Sequence, residues 1–130
     1  MIVGVGTDIV AVARFVRLIE RHGVRAPDRF LVEEEREQYR QSAAPARFLA
    51  RRFAAKEAFA KALGLGLRPP ATLRALAVAH DQAGRPDFRF RPELDDWMRA
   101  RGWRAHLSIS DEADYAIAFV VVEPVLEIQP

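Results

Sequence analysis

The spacing of hydrophobic and polar positions changes several times along the chain, and each change predicts an element. Residues 2–6 alternate branched apolar residues with glycine and predict a short strand, with Asp8 where that strand would hand over to a helix. Over about 11–22, Val12, Phe15, Val16 and Ile19 recur at helical spacing and Gly23 supplies a stop, while Arg14, Arg17 and Arg21 fall on the other face. A second helix is predicted over 32–41, rich in Glu near its start as the helix macrodipole prefers. After the linker Ser42-Ala43-Ala44-Pro45 the longest helix covers about 46–63, and Gly64 follows where a left-handed residue closes a helix. Residues 64–70 read as a loop, and 73–80 and 87–91 as two strands joined by a turn over 81–86. Residues 92–101 predict a short helix with proline at its mouth, and 104–110 with 115–123 a final hairpin turning at 111–114.

The resulting order, β-α-α-α-β-β-α-β-β with short turns, predicts an α+β fold whose mainly antiparallel sheet packs with a long central helix. At 130 residues the chain is expected to be a single domain spanning 1–130. The absence of cysteine excludes a disulfide framework and thiol chemistry and fits a reducing cytoplasm, the expected location. The longest apolar run, 116–122, is too short to span a bilayer, and the apolar start is broken by Asp8 and lacks a basic leader, so neither membrane nor signal peptide is expected. A pI of 9.5 accompanies a net charge of only +2, so the balance alone does not argue for nucleic acid.

Charge type is more informative than charge total. Of the 20 basic residues only Lys56 and Lys61 are lysines, and they lie in one segment, Arg51-Arg52-Phe53-Ala54-Ala55-Lys56-Glu57-Ala58-Phe59-Ala60-Lys61-Ala62-Leu63-Gly64. An ammonium is a compact point charge suited to a phosphate or a shifted pKa, whereas guanidinium is a planar fork.

Three islands combine chemistry with tight local context. In Gly4-Val5-Gly6-Thr7-Asp8, the glycines leave room for another backbone or a ligand, and Thr7 or Asp8 could equally cap a helix. Ile9 stands where a dinucleotide fingerprint needs its third glycine, so that motif is excluded. On the long helix, Glu57 and Lys61 form an i, i+4 pair that could be a plain surface ion pair. With Phe53 and Phe59 facing the core, Arg52, Lys56 or Glu57, Lys61 and Gly64 would run beside a cleft. Mg²⁺ takes one or two protein carboxylates and completes its octahedron with water and substrate phosphate, a need that Asp8 and Glu57 would meet. No P-loop signature is present. In His106-Leu107-Ser108-Ile109-Ser110-Asp111, strand alternation turns His106, Ser108 and Ser110 to one face, either a polar ligand wall or an exposed sheet face. No orienting carboxylate accompanies these residues, and neighbours two apart on a strand do not make a Ser-His catalytic pair.

Taken together, Gly4-Val5-Gly6-Thr7-Asp8-Ile9-Val10, the Arg51–Ala58 segment continuing to Gly64, and His106–Ser110 followed by Tyr115-Ala116 resemble the holo-[acyl-carrier-protein] synthases, short 4′-phosphopantetheinyl transferases. The resemblance runs nearly end to end. It implies a phosphopantetheinyl transferase-like fold and transfer of phosphopantetheine from coenzyme A to a serine of apo-acyl carrier protein, releasing adenosine 3′,5′-bisphosphate, in fatty acid biosynthesis. It further implies Mg²⁺, or Mn²⁺ in its stead, on Asp8 and Glu57, with Lys61 by the pyrophosphate. Arg52, Gly64, His106 and the Gly84-Arg85-Pro86 turn, Pro86 included, would belong to the coenzyme A site, shared between subunits of a homotrimer. Arg14, with Arg17 and Arg21, would dock the acidic carrier protein. Three positions depart from the family's habit: Ala11 and Asp111 after the first and last motifs, and Val32 where a hydroxyl N-cap is usual.

In the mechanism so implied, Asp8, Glu57 and Lys61 are the catalytic group, and Lys56 has no assigned role. Two other readings compete: a related transferase serving polyketide or peptide synthase carriers, and a non-catalytic basic module. Against the second, no aromatics interleave with the basic stripe and no nucleic-acid motif appears.

Overall fold

The computed structural model describes residues 1–126. Its elements run β1 (Gly4–Ala11), α1 (Val12–His22), a 3-10 helix (Gly23–Arg29), α2 (Glu33–Arg40), α3 (Pro45–Ala62), β2 (Leu76–His80), β3 (Pro86–Phe90), α4 (Pro92–Arg101), β4 (Trp103–Asp111) and β5 (Tyr115–Pro124). The strands form a three-stranded sheet in the order β1-β5-β4 and a two-stranded β2-β3 hairpin, with every pairing antiparallel. This is the α+β fold expected from the element order.

Helix α3 is the axis of the molecule. It starts on Pro45 and is buried almost all round, through Phe48, Leu49, Phe53, Phe59 and a run of alanines. A helix apolar on nearly every side belongs inside a core. Against one side lie Ala116, Ala118, Val120 and Val122 of β5, all fully buried. Against another lies the β2-β3 hairpin, where Phe59 meets Phe88 and Phe90 at ring-centroid distances of 5.1 and 5.3 Å. Burying a phenylalanine this completely stabilises the fold by about 1.5–3 kcal/mol.

Strand β1 lies directly on α3. A Cβ at Gly4 would overlap the carbonyl oxygen of Ala62, and one at Gly6 that of Ala58. The two glycines therefore let strand and helix approach backbone to backbone, which sets the position of Asp8, the next residue on that face.

Some boundaries differ from the sequence expectation. The first strand does not stop before Asp8 but continues to Ala11, because β5 offers it a ladder from Gly4↔Val122 to Ala11↔Tyr115. Ala11 is then the N-cap of α1, without a side-chain cap, so neither Thr7 nor Asp8 caps a helix. Val16, one of the four apolar residues at helical spacing, is 41% exposed, while Val12 and Phe15 carry the buried face of α1. The 3-10 helix was not signalled by any periodicity. The strand predicted from residue 73 begins at Leu76, since the carbonyl of Leu73 is taken by a side chain of α3.

Candidate active site

Asp8 points from β1 toward α3, where Lys61 meets it. The Lys61 Nζ donates to Asp8 Oδ1 and to the Thr7 carbonyl oxygen, each at 3.1 Å. The Asp8 side chain is only 12% exposed, and its Oδ2 is buried with no hydrogen-bond partner. A half-exposed ion pair contributes about 0–1 kcal/mol, whereas an unsatisfied buried acceptor costs about 1–3 kcal/mol. The pairing therefore does not offset the burial of this carboxylate, and the free oxygen is poised for a further cation.

Glu57 lies one turn before Lys61 on the same helix. Partial burial pushes its carboxyl above the usual range, the nearby Asp8 carboxylate adds to the rise, and Lys61 and Arg14 oppose it. Two carboxylates that disfavour each other's charge are what a divalent cation relieves. The donor set suits Mg²⁺ or Mn²⁺: oxygen ligands, only two carboxylates, and the remaining positions left to water and phosphate. Among the described residues no group of three His, Cys, Asp or Glu side chains comes together, so no all-protein cage forms here.

Arg14, Arg17 and Arg21 are all exposed on α1. Arg14 is the most constrained of them, its guanidinium carbon 4.9 Å from the Phe53 ring centroid and 5.6 Å from that of Phe15. Gly64 follows the end of α3 with φ of 75°, in the left-handed conformation expected of it. Pro86 opens β3 opposite His80.

His106 lies elsewhere. It pairs across β4-β5 with Val121, and Ser108 and Ser110 with Phe119 and Ile117, all on the outer face of the sheet. Asp8, in contrast, shares the inner face with Gly6 and Val10, opposite buried Ala118. The alternation read from the sequence holds, but within one chain His106 and Asp8 are separated by the sheet. His106 Nε2 lies 3.1 Å from Glu123 Oε1, an exposed contact.

The expected stripe along α3 splits. Glu57 and Lys61 face β1, but Arg52 and Lys56 turn the other way, into the core. Arg52, expected beside the coenzyme A cleft, is 4% exposed. Its Nε lies 3.3 Å from Glu35 Oε2, its Nη2 donates to Gln38 Oε1 at 3.2 Å, and its guanidinium stacks over Phe48. That burial removes it from direct contact with a ligand in the free chain. The helix is so apolar that no polar stripe marked its outside, and an arginine was read outward.

Lys56 is fully buried, and sequence reasoning gave it no role. Its ammonium donates to Glu35 Oε1 at 2.6 Å, the Phe30 carbonyl at 2.7 Å and the Leu73 carbonyl at 2.8 Å, using all three of its N–H groups. Burial pulls its pKa below the ordinary lysine value, and Glu35 pushes back. Glu35 in turn accepts the backbone N–H of Val32 at 3.2 Å, which closes the start of α2, and that of Val78 at 3.0 Å. Removing one partner of such a buried pair costs about 3–5 kcal/mol. The one signal for this cluster was the preference for lysine where arginine is the rule, since three converging acceptors suit an ammonium and not a fork.

With this geometry in hand, the comparisons with known proteins are direct. The sequence model of the 4′-phosphopantetheinyl transferase superfamily matches residues 4–120. The chain is 55% identical over 123 residues to a holo-[acyl-carrier-protein] synthase of Azoarcus sp. (strain BH72), covering 95% of this chain and 98% of that one. Its fold superposes on the crystal structure of holo-[acyl-carrier-protein] synthase from Neisseria meningitidis with a TM-score of 0.90 at 45% identity, covering 95% and 99% of the two chains. A holo-(acyl-carrier-protein) synthase from Bacillus anthracis str. Ames, solved in complex with CoA (3′,5′-ADP), matches with a TM-score of 0.80 at 32% identity over 95% of this chain and 98% of that one. The chain belongs to the 4′-phosphopantetheinyl transferase superfamily.

Proposed function

We propose that this chain is a holo-[acyl-carrier-protein] synthase, transferring 4′-phosphopantetheine from coenzyme A to a serine of apo-acyl carrier protein in fatty acid biosynthesis. The observation that carries the reading is the Asp8–Lys61 pair beside Glu57, with one Asp8 oxygen buried and unpartnered. Asp8 and Glu57 would hold Mg²⁺, which when bound would supply charge neutralisation at the coenzyme A pyrophosphate. Lys61 supplies a second positive charge at the pyrophosphate, compact enough to leave Asp8 for the metal. The carrier serine Oγ attacks the phosphorus that bears pantetheine, the bond from that phosphorus to the bridging oxygen breaks, and adenosine 3′,5′-bisphosphate leaves. The serine proton passes to Glu57 directly or through a water.

Gly64, Pro86 and Lys61 line the coenzyme A side, and Arg14, Arg17 and Arg21 receive the acidic carrier. Complementary charge of this kind speeds encounter and weakens with salt. A homotrimer is supported by the outer sheet face, where Val5, Ile9, Tyr115, Ile117 and Phe119 are 42–60% exposed side by side. A contiguous apolar patch of this kind favours burial against another copy of the chain, and His106 lies on that same outer face. Among the described residues no helix is long and apolar enough to cross a membrane, and the cytoplasm is the proposed location.

Incubating apo-acyl carrier protein with this protein, coenzyme A and Mg²⁺ tests the activity by intact mass. The carrier is expected to gain one phosphopantetheine, and chelating the metal to stop the gain. An unchanged carrier mass overturns the reading, and a panel of polyketide and peptide synthase carriers tests its specificity.

A further inference from the structure

The buried ammonium of Lys56 ties together three separate segments. Through its three hydrogen bonds it joins the end of the 3-10 helix at Phe30, the first turn of α2 at Glu35, and the segment before β2 at Leu73. The bond to Phe30 leads toward α1. Phe30's ring packs edge-on against Phe53 at 5.6 Å and against Phe15 at 6.1 Å, and Phe15 and Phe53 lie 5.5 Å apart. Arg14 is seated over the two rings of Phe15 and Phe53. A chain of contacts thus runs from Lys56 through Phe30 and the Phe15–Phe53 pair to Arg14 on the surface.

We propose that Lys56 is a positioning residue for the carrier-binding face, acting through Phe30 and the Phe15–Phe53 seat on Arg14. The inference rests on the reading of α1 as the carrier dock. A floating Phe30 leaves the two remaining rings free to repack, and an arginine held on aromatic faces then loses its fixed position. The other ties of the cluster, to Leu73 and through Glu35 to Val78, lead to the β2-β3 hairpin that carries Pro86, so Phe30→Leu, which leaves those ties in place, isolates the carrier side. The role separates from simple stability because it predicts a split between two substrates.

The test compares wild type, Lys56→Met, the paired Lys56→Met/Glu35→Gln and Phe30→Leu, each alone and with Arg14→Ala, in steady-state kinetics with both substrates varied. Phe30→Leu keeps the Lys56 tie and stays apolar, so it is expected to fold even if the Lys56 variants do not. Phe30→Leu is expected to raise the KM for carrier protein roughly 3- to 10-fold, the scale of a lost cation–π seat, with the KM for coenzyme A unchanged, and the folded Lys56 variants to raise the carrier KM at least as much. In the Arg14→Ala background the same changes should add nothing, because residues acting through one another are not additive. An unchanged carrier KM in the folded Lys56 variants, full additivity with Arg14→Ala, or no split in Phe30→Leu each overturns the proposal. Arg14→Ala alone leaving the carrier KM unchanged overturns the docking reading instead, so the two failures are distinct.

Discussion

Asp8 and His106 sit on opposite faces of the same three-stranded sheet, Asp8 toward α3 and His106 toward solvent. If both serve one coenzyme A site, they do so from different subunits. Mixed assemblies then give a clean prediction. Asp8→Asn and His106→Ala proteins, each weakly active or inactive alone, should recover roughly a quarter of wild-type activity when co-expressed and purified as mixed oligomers, because about one interface in four then pairs two intact halves. Activity no higher than that of the separate variants means that each chain supplies its own site. In the same vein, Phe119→Glu should dissociate the proposed homotrimer, read by sedimentation, and lose activity with it.

The two carboxylates make a second prediction, about metal rather than turnover. Glu57→Gln removes one of two charges that disfavour each other, so the metal-free variant should melt no lower than wild type. Mg²⁺ should raise the melting temperature of wild type, by an amount worth about 2.7 kcal/mol at a hundredfold excess over Kd. It should do nothing for Glu57→Gln, and activity should vanish. Undiminished stabilisation by Mg²⁺ in the variant would remove Glu57 from the metal site.

These tests mark what could be read from the sequence and what could not. The helices and hairpins were legible because their punctuation is local: Pro45 and Pro92 open helices, Gly23 and Gly64 close them, and alternation fixed which side of β4 carries His106. The pairing of β1 with β5 is the longest-range contact in the sheet and left no local trace, so neither the full length of β1 nor the opposition of Asp8 and His106 could be foreseen. Glu35 was read as one of several acids favouring a helix start, and it is also the buried anchor for Arg52 and Lys56. A charged residue on a helix is read outward by default, and only tertiary packing identifies the exception.

Lys61→Arg carries a further prediction. The ammonium spans a carbonyl and a carboxylate oxygen at equal distance, from the far end of a flexible stem. A guanidinium can hold Asp8 in a fork and so compete with the metal for it. The expected outcome is a kcat lowered about 100-fold, the scale of losing one preorganised stabilising group, with the KM for coenzyme A changed far less. A variant with wild-type kcat would show that positive charge alone suffices and that the preference for lysine has no catalytic origin.

The approach of β1 to α3 predicts two unlike outcomes for two glycines. At Gly6 a methyl group would overlap the backbone carbonyl of Ala58, which has no rotamer to escape into, so the strand itself must shift. Overpacking of this kind costs about 1–3 kcal/mol, and the displacement reaches Asp8, two residues on along the same face. Gly6→Ala should therefore lower the melting temperature, weaken Mg²⁺ binding and reduce kcat together. At Gly64 there is open space, and the penalty comes only from a φ of 75°, about 1–2 kcal/mol for a side chain in that conformation. Gly64→Ala should lose stability by that amount while its Mg²⁺ affinity stays at the wild-type value. Thermal unfolding paired with Mg²⁺ titration separates the two, and a Gly6→Ala protein that binds Mg²⁺ normally would mean that the close strand–helix contact is not what holds Asp8 in place.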